Sequence, residues 1–290
     1  MPDLWPFIVS GLAFGGVYAL SGVGLVVLYR TTAVVNFAYG AFGAVAALLA
    51  WQIMESGGGE VTGVLVGVAA AAAISVTYGA VISPRLALRG QEIAVAGSLG
   101  AALTVLGMCT LIWGDGTVRT LNLSTSNVSF SVGTTVVNLT QVLAVAIALG
   151  VAVVATIFLR RTLTGTTMRA IADDRELTAV LGVRVRRIEV LTWTIVGVLS
   201  GATGILFANL LSLQADLLTF LVISSLAAAV VGRFRSLWIV FGGGIIIGLL
   251  QSVAVAFPAI SPYSDATPFV VAAVVLLVLD LARGTRVRSA

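Results

Sequence analysis

The chain has no histidine and no lysine, a single cysteine (Cys109), and only 10% charged residues across 290 positions. Each shortage closes a class of chemistry. Without histidine and with one cysteine, neither a disulfide nor a Cys/His metal site can be assembled. Without lysine the GK[ST] phosphate loop lacks its cation, so the chain carries no standard P-loop for hydrolysing ATP. Any ATP-driven role requires a separate motor subunit. Carboxylates are equally sparse: Asp173-Asp174 is the only acidic doublet, and Arg175 follows it directly. That arrangement suits a salt bridge better than general acid–base or metal-assisted catalysis. No catalytic residue, metal site, cofactor or nucleic-acid partner is expected.

What is abundant is apolar. Hydrophobic residues make up 59% of the chain and the mean hydropathy is +1.11, which leaves too little polar surface to cover a soluble fold. The chain is expected to be an integral membrane protein in contact with lipid. Gly11/Gly15, Gly63/Gly67, Gly197/Gly201 and Gly244/Gly248 recur at four-residue spacing inside apolar runs, a pattern that lets helices cross closely where lipid supplies no hydrophobic force between them. Met1 to Phe7 contains no basic residue and the first arginine is Arg30, so the first apolar stretch reads as a retained span rather than a signal peptide.

Apolar runs of crossing length, about 20 residues each, fall near 5–29, 33–54, 61–83, 92–113, 137–159, 190–212, 236–257 and 267–282, with a shorter run at 217–232. The expected fold class is all-α: a polytopic bundle of about nine transmembrane helices, or eight if 217–232 is re-entrant. With nine crossings, 15 of the 16 arginines share one side and only Arg119 lies opposite, together with Asp3, Glu55, Glu60, Asp115, Asp216 and Asp265. Re-entry would move Arg233 and Arg235 to that acidic side, so the crossing is preferred. Arginine-rich loops stay cytoplasmic, which puts the N-terminus outside and the C-terminus inside. Residues 1–290 read as one transmembrane domain with a cytoplasmic segment at 160–189 and an outer loop at 114–139. In that loop Val128, Phe130 and Val132 alternate with serines before Gly133, the pattern of a short strand or hairpin.

Residues 160–189 hold 11 of the 28 charged side chains, seven of them arginine. Each arginine would cost roughly 2.5–3.5 kcal/mol at a bilayer centre, so the block lies outside the hydrocarbon. Within it, Thr166 to Leu181 is expected to form a short helix, with Gly182 as a left-handed C-terminal cap and Val183 as the apolar residue after it. Both signs of charge mix there with Met168, Ile171, Leu177, Val180 and Leu181. Such a face suits a protein surface better than anionic lipid, which favours basic residues alone. Periodicity leaves a docking helix and a solvated loop equally open.

Gly165-Thr-Thr-Met-Arg169-Ala170-Ile-Ala-Asp173, continuing to Ala179-Val-Leu-Gly182-Val183, resembles the cytoplasmic coupling segment of permease subunits from the branched-chain amino acid ABC importer family. Tyr18-Ala19-Leu20, Val35-Asn36-Phe37-Ala38-Tyr39-Gly40, the span from Gly197 to Gly204 and Gly242-Gly243-Gly244 recur in the family's order. The resemblance covers most of the chain. It implies a permease of the bacterial inner membrane that pairs with a second homologous permease, docks two cytoplasmic ABC ATPase subunits, and receives amino acids from a periplasmic or lipid-anchored substrate-binding protein. Carried over residue by residue, Gly165, Arg169, Ala170, Asp173 and Gly182 belong to the ATPase-facing segment. The chain departs from the family at Tyr39, where histidine is usual, and at Arg233 and Arg235, where glycine is common.

Alternating access requires polar groups at membrane depth, and Asn36, Tyr39, Thr104, Asn209 and Gln251 are the path candidates. Each also has a purely structural reading as an interhelical hydrogen bond, worth about 0.6 kcal/mol on average in membranes. Asn36 with Tyr39 is preferred because Gly40 and Gly43 permit an irregular or closely packed helix. A urea or short-amide importer permease is the nearest alternative. An ion-coupled secondary transporter is a more distant one, since Glu92 and Asp280 sit at span ends and no ionisable pair occupies the span centres.

Overall fold

A computed structural model describes residues 4–87, 89–114, 119–132 and 135–287. Asp3, Asp115, Gly133 and Arg288 lie outside the described residues. Helix α1 (Trp5–Thr32) leads through a non-helical link to α2 (Tyr39–Glu55), and α3 (Glu60–Thr77) runs through a π-helical turn at Tyr78–Ile82 into the short α4 (Ser83–Ala87). Then come α5 (Gln91–Trp113), the single turn α6 (Ser124–Asn127), strands β1 (Ser129–Val132) and β2 (Thr135–Asn138), and α7 (Leu139–Arg161). The chain continues through α8 (Leu163–Asp173), α9 (Arg175–Val180), α10 (Val185–Leu210), α11 (Ala215–Val231), α12 (Leu237–Val255), a 3-10 turn at Ser261–Ala266, and α13 (Thr267–Val287).

Among the described residues seven helices are long and apolar enough to cross a membrane: Trp5–Thr32, Glu60–Ala87, Gln91–Trp113, Leu139–Arg161, Val185–Leu210, Leu237–Val255 and Ser261–Val278. The chain is an all-α polytopic membrane protein. Helices α2 and α11 have 17 residues each, about 25 Å at 1.5 Å per residue.

Helix α1 forms the centre of the bundle, packed by α7, α10, α11 and α12. It is apolar all round, as expected of a helix whose most apolar stretch is 89% buried. Its small residues let neighbours approach to backbone contact. A Cβ on Gly15 would lie 2.7 Å from Ile245 Cα, and one on Gly248 would lie 2.2 Å from Gly15 N, so the two four-residue glycine pairs of α1 and α12 face each other in one crossing. Gly63 and Gly67 seat α3 on Ala50 and Ala46 of α2, and Gly197 and Gly201 seat α10 on Ala72 and Val68 of α3.

The structure corrects two expectations. The apolar run at 33–54 does not begin as helix: Ala33 turns left-handed at φ 55°, and the Asn36 carboxamide oxygen accepts the Ala38 N–H at 2.9 Å, a local turn that competes with helix. Helix resumes at Tyr39. The segment Thr166–Leu181 is two helices rather than one. Asp174 leaves helical space at φ −154°, ψ 105°, and its carboxylate accepts the Leu177 N–H at 2.9 Å. A short acidic side chain is stabler capping a new helix than inside one.

Gly182 does cap α9 in the left-handed region, φ 86°. Its N–H donates to Ala179 O at 3.0 Å and the Val183 N–H to Thr178 O at 3.4 Å, the paired bonds of a Schellman end. The serine-interleaved stretch forms an antiparallel hairpin, with Ser129 opposite Asn138 and Phe130 opposite Val137. Arg119, at the acidic end, lies over the Trp51 ring at 5.1 Å, and its backbone accepts Leu213 N–H at 2.9 Å.

Candidate functional site

At the arginine-rich end, α8 and α9 form a protruding tip whose orientation is set from below. The Thr162 hydroxyl accepts the Gly165 N–H at 3.0 Å and starts α8. A Cβ on Gly165 would lie 2.5 Å from Leu159 Cα and from Phe158 O, so glycine alone allows α8 to fold back against the end of α7. Met168 and Ile171 are buried on the same face. Arg175, the first residue of α9, reaches Glu189 of α10 in a two-pronged bond, Nε to Oε1 at 2.8 Å and Nη2 to Oε2 at 3.4 Å. That bond raises the Arg175 pKa further above its ordinary value. A raised pKa adds stability below it and loses it only above, so the guanidinium stays charged at every pH a cell reaches. The pair is half exposed on the arginine side and contributes at most about 1 kcal/mol; its role is to fix the angle of the tip.

Of the five residues expected on the partner-facing segment, Arg169, Ala170 and Asp173 share the exposed face of α8, and Gly182 is exposed at the end of α9. Gly165 points inward, as described. The tip also displays large apolar side chains that periodicity alone left undecided: Leu163 is 89% exposed, Val180 83% and Leu181 75%. Isolated apolar residues on a surface are ordinary, but Leu177, 57% exposed, stands one turn before Leu181, and an apolar group of this kind beside charge suits a contact surface.

The five path candidates are scattered. Tyr39 is fully buried, and its hydroxyl lies 3.2 Å from Thr203 Oγ1, with the ring packed where a Cβ on Gly24 would stand. Asn36 sits in the α1–α2 link with its Nδ2 buried and without a hydrogen-bond partner among the described residues. Thr104 is exposed and bonds its own helix at Gly100 O, 2.8 Å away, at the edge of a cavity of about 460 Å³ beside Phe42, Tyr78 and Ala101. Asn209 ties the loop after α5 to α10: it donates to Thr140 Oγ1 at 2.8 Å and accepts the Leu123 N–H at 3.1 Å.

Gln251 alone among them enters a cavity of about 710 Å³ between α1, α10, α11, α12 and α13. Two residues that sequence reasoning had not assigned to a site join it there. The Tyr18 hydroxyl donates to Gln251 Oε1 at 2.9 Å, and Gln251 Nε2 donates to Asp265 Oδ1 at 3.1 Å. Tyr18 and Gln251 are 233 residues apart, and no local pattern connects them. A third, smaller cavity of about 240 Å³ lies behind the tip, lined by Thr31, Gly79, Ile171, Arg175, Glu189 and Trp193. Among the described residues no group of three His, Cys, Asp or Glu side chains is assembled for a metal ion.

The family model described as "Branched-chain amino acid transport system / permease component" matches residues 7–279. BraD of Pseudomonas aeruginosa, named a high-affinity branched-chain amino acid transport system permease protein, is 28% identical over 302 residues, covering 98% of this chain and 96% of that protein. LivH of Escherichia coli, with the same description, is 26% identical over 287 residues, and LivH of Salmonella typhimurium is 25% identical over 291. Each LivH alignment covers 93% of this chain and 92% of the relative. With nearly its whole apolar bundle and the intervening tip inside the matched region, the chain belongs to the family of permease components of branched-chain amino acid transport systems.

Proposed function

We propose that the chain is the membrane-spanning subunit of an ATP-driven importer of the bacterial inner membrane, moving branched-chain or related amino acids by alternating access. Cargo arrives from a periplasmic or lipid-anchored binding protein, a second homologous permease completes the pathway, and two cytoplasmic ABC ATPases supply the work. Counting α2 and α11 as crossings gives nine spans. Their length of about 25 Å falls short of a 30 Å hydrocarbon core by an amount that local thinning and packing absorb. Nine spans keep Arg30, the arginines of 160–189, Arg233 and Arg235 on the cytoplasmic side, with the N-terminus outside and the C-terminus inside.

The observation that carries this reading is the α8–α9 tip. It is held by Gly165, Met168, Ile171 and the Arg175–Glu189 pair, yet presents Arg169, Ala170, Asp173 and an apolar group outward. A rigid lever with an unpaired outer face is what transmission of force from a soluble motor requires. The chain itself has no lysine for a phosphate loop, so the motor belongs to the partner.

The energy source tests the proposal. Labelled leucine uptake by cells expressing the full transporter is expected to continue after a protonophore is added, provided ATP is maintained, and to stop when this chain is deleted. Uptake that collapses with the proton gradient at constant ATP contradicts it and favours an ion-coupled carrier.

A further inference from the structure

Arginines from three helices gather where α8 folds back on the bundle. Arg30 stands in the last turn of α1, and Arg160 and Arg161 close α7. Helix α8 packs against both, so tightly at Gly165 that a Cβ would meet the α7 backbone. One turn past Gly165, Arg169 turns back towards the start of α8, where its Nη2 donates to Thr166 Oγ1 at 3.3 Å. Arg30 is partly buried there, and the charges that act on it are Arg169 and Arg160, with no carboxylate among them. The acids of this region are engaged or remote. Glu189 holds Arg175 in the one ion pair among the described residues, and Asp173 and Asp174 stand at the far end of α8. Arginine in a last helical turn suits the terminal carbonyls, as Arg85 shows by donating to Val81 O. Among the described residues Arg30, Arg160 and Arg161 make no such bond.

The surface leading to this cluster is apolar. Ile147, Gly150, Val154, Ile157 and Arg161 follow one another at steps of three and four residues, so they share one face of α7. Val154 is 66% exposed and Ile157 55%, and a Cβ on Gly150 would meet nothing within 4 Å. From Ile147 to Ile157 the helix rises about 15 Å, half of a hydrocarbon core of about 30 Å and so the depth of one leaflet. A cation is repelled from such a place, and a free anion gains nothing from the apolar stripe. An anion carried on acyl chains uses both. We propose that the ends of α1 and α7 hold the phosphate headgroup of an anionic phospholipid, with its acyl chains along the stripe from Ile147 to Ile157. Basic pockets between spans take anionic headgroups in this way. From there the lipid supports the base of the tip from the membrane side, while Ala170 and Asp173 remain outward. The inference needs only a chain that spans a membrane and is independent of the importer reading.

The test uses the purified full-length chain in nanodiscs of phosphatidylcholine and phosphatidylglycerol with the same acyl chains, and native mass spectrometry reads the lipid that stays bound. The native chain should retain phosphatidylglycerol above its share of the disc. Replacing Arg30, Arg160 and Arg161 together by glutamine should cut that enrichment at least about fivefold, the contribution of one arginine near an anionic surface. The same three positions as lysine should keep most of it, since an ammonium still binds phosphate as a point charge. Replacing Arg184, Arg186 and Arg187 by glutamine removes equal charge at the start of α10 and should leave the enrichment unchanged. If the first variant loses its size-exclusion peak, Arg160→Gln with Arg161→Gln carries the test, because both side chains are exposed. The proposal is overturned by a native chain that shows no preference, or by equal enrichment in the native chain and the glutamine variant. Equal loss in the α10 variant also overturns it, since net charge alone then governs binding. So does displacement of phosphatidylglycerol by millimolar inorganic phosphate, which identifies a site for free anions.

Discussion

Gly248→Ala is expected to cost about 3 kcal/mol of stability, the upper part of the range for forcing an extra carbon into a packed interior. Gly242→Ala, on the same helix, should be neutral or stabilising by up to about 1 kcal/mol from helix propensity. The difference lies in what each new methyl meets. At Gly242 nothing lies within 4 Å, whereas at Gly248 the Cβ would stand 2.2 Å from Gly15 N, 2.4 Å from Gly15 Cα and 2.6 Å from Gly11 O. All three are backbone atoms that no rotamer change can clear, so α12 must move away from α1. In a bilayer that separation is not resisted by a hydrophobic force but by the loss of van der Waals contact itself. It would also displace Gln251, one turn along α12, from Tyr18. Thermal denaturation in detergent, followed by fluorescence-detected size exclusion, checks both variants. Equal melting temperatures would contradict the close crossing.

The second large effect is functional. Replacing Arg169 and Asp173 together by alanine is expected to reduce ATP-driven uptake at least about tenfold, the loss of roughly 1.4 kcal/mol or more from a docking surface. Membrane insertion and melting temperature should stay unchanged, because both side chains are exposed and surface substitutions of this kind usually cost within about 0.5 kcal/mol. Among the described residues Arg169 bonds only within its own turn, Nη2 to Thr166 Oγ1 at 3.3 Å. Met168, one residue earlier and wholly buried, is the contrasting position: Met168→Ala should destabilise the tip by about 2 kcal/mol or more. Unchanged uptake in the double variant would leave α8 and α9 as a solvated loop.

The bundle is legible from sequence because its signals are long or repeated. Twenty-residue apolar runs and one-sided arginine mark most of the helices, and the four-residue glycine spacing marks the crossings at Gly15 and Gly248. The cap at Gly182 is legible because a glycine followed by valine after a helical stretch has few other uses. Short-range competition is harder to read. Asp173 and Asp174 look alike in sequence, yet one ends α8 and the other begins α9. Val34, Val35 and Phe37 read as the start of a span, and only the local turn made by Asn36 keeps them out of it. The π-helical turn at Tyr78–Ile82 has no sequence mark apart from Gly79, whose missing side chain is replaced by the Trp193 ring.

Polar residues within spans are the least legible, because their partners are distant in the chain. Tyr39 meets Thr203 across 164 positions and Asn209 meets Thr140 across 69. Thr104 satisfies its hydroxyl on its own helix, which no pattern distinguishes from lining a path. Asp265 counts in the sequence as one more outer acid, and only the approach of α1 and α12 joins it to Gln251 and Tyr18.

Co-purification tests the central claim most directly. The chain is tagged in its native membrane and extracted gently, with the Arg169/Asp173 double alanine variant as control, and the accompanying proteins are identified by mass spectrometry. Recovery of an ABC ATPase and a second permease with the native chain, and loss of the ATPase with the variant, is the predicted result. Recovery of the chain alone, still able to transport after reconstitution without ATP, would contradict it.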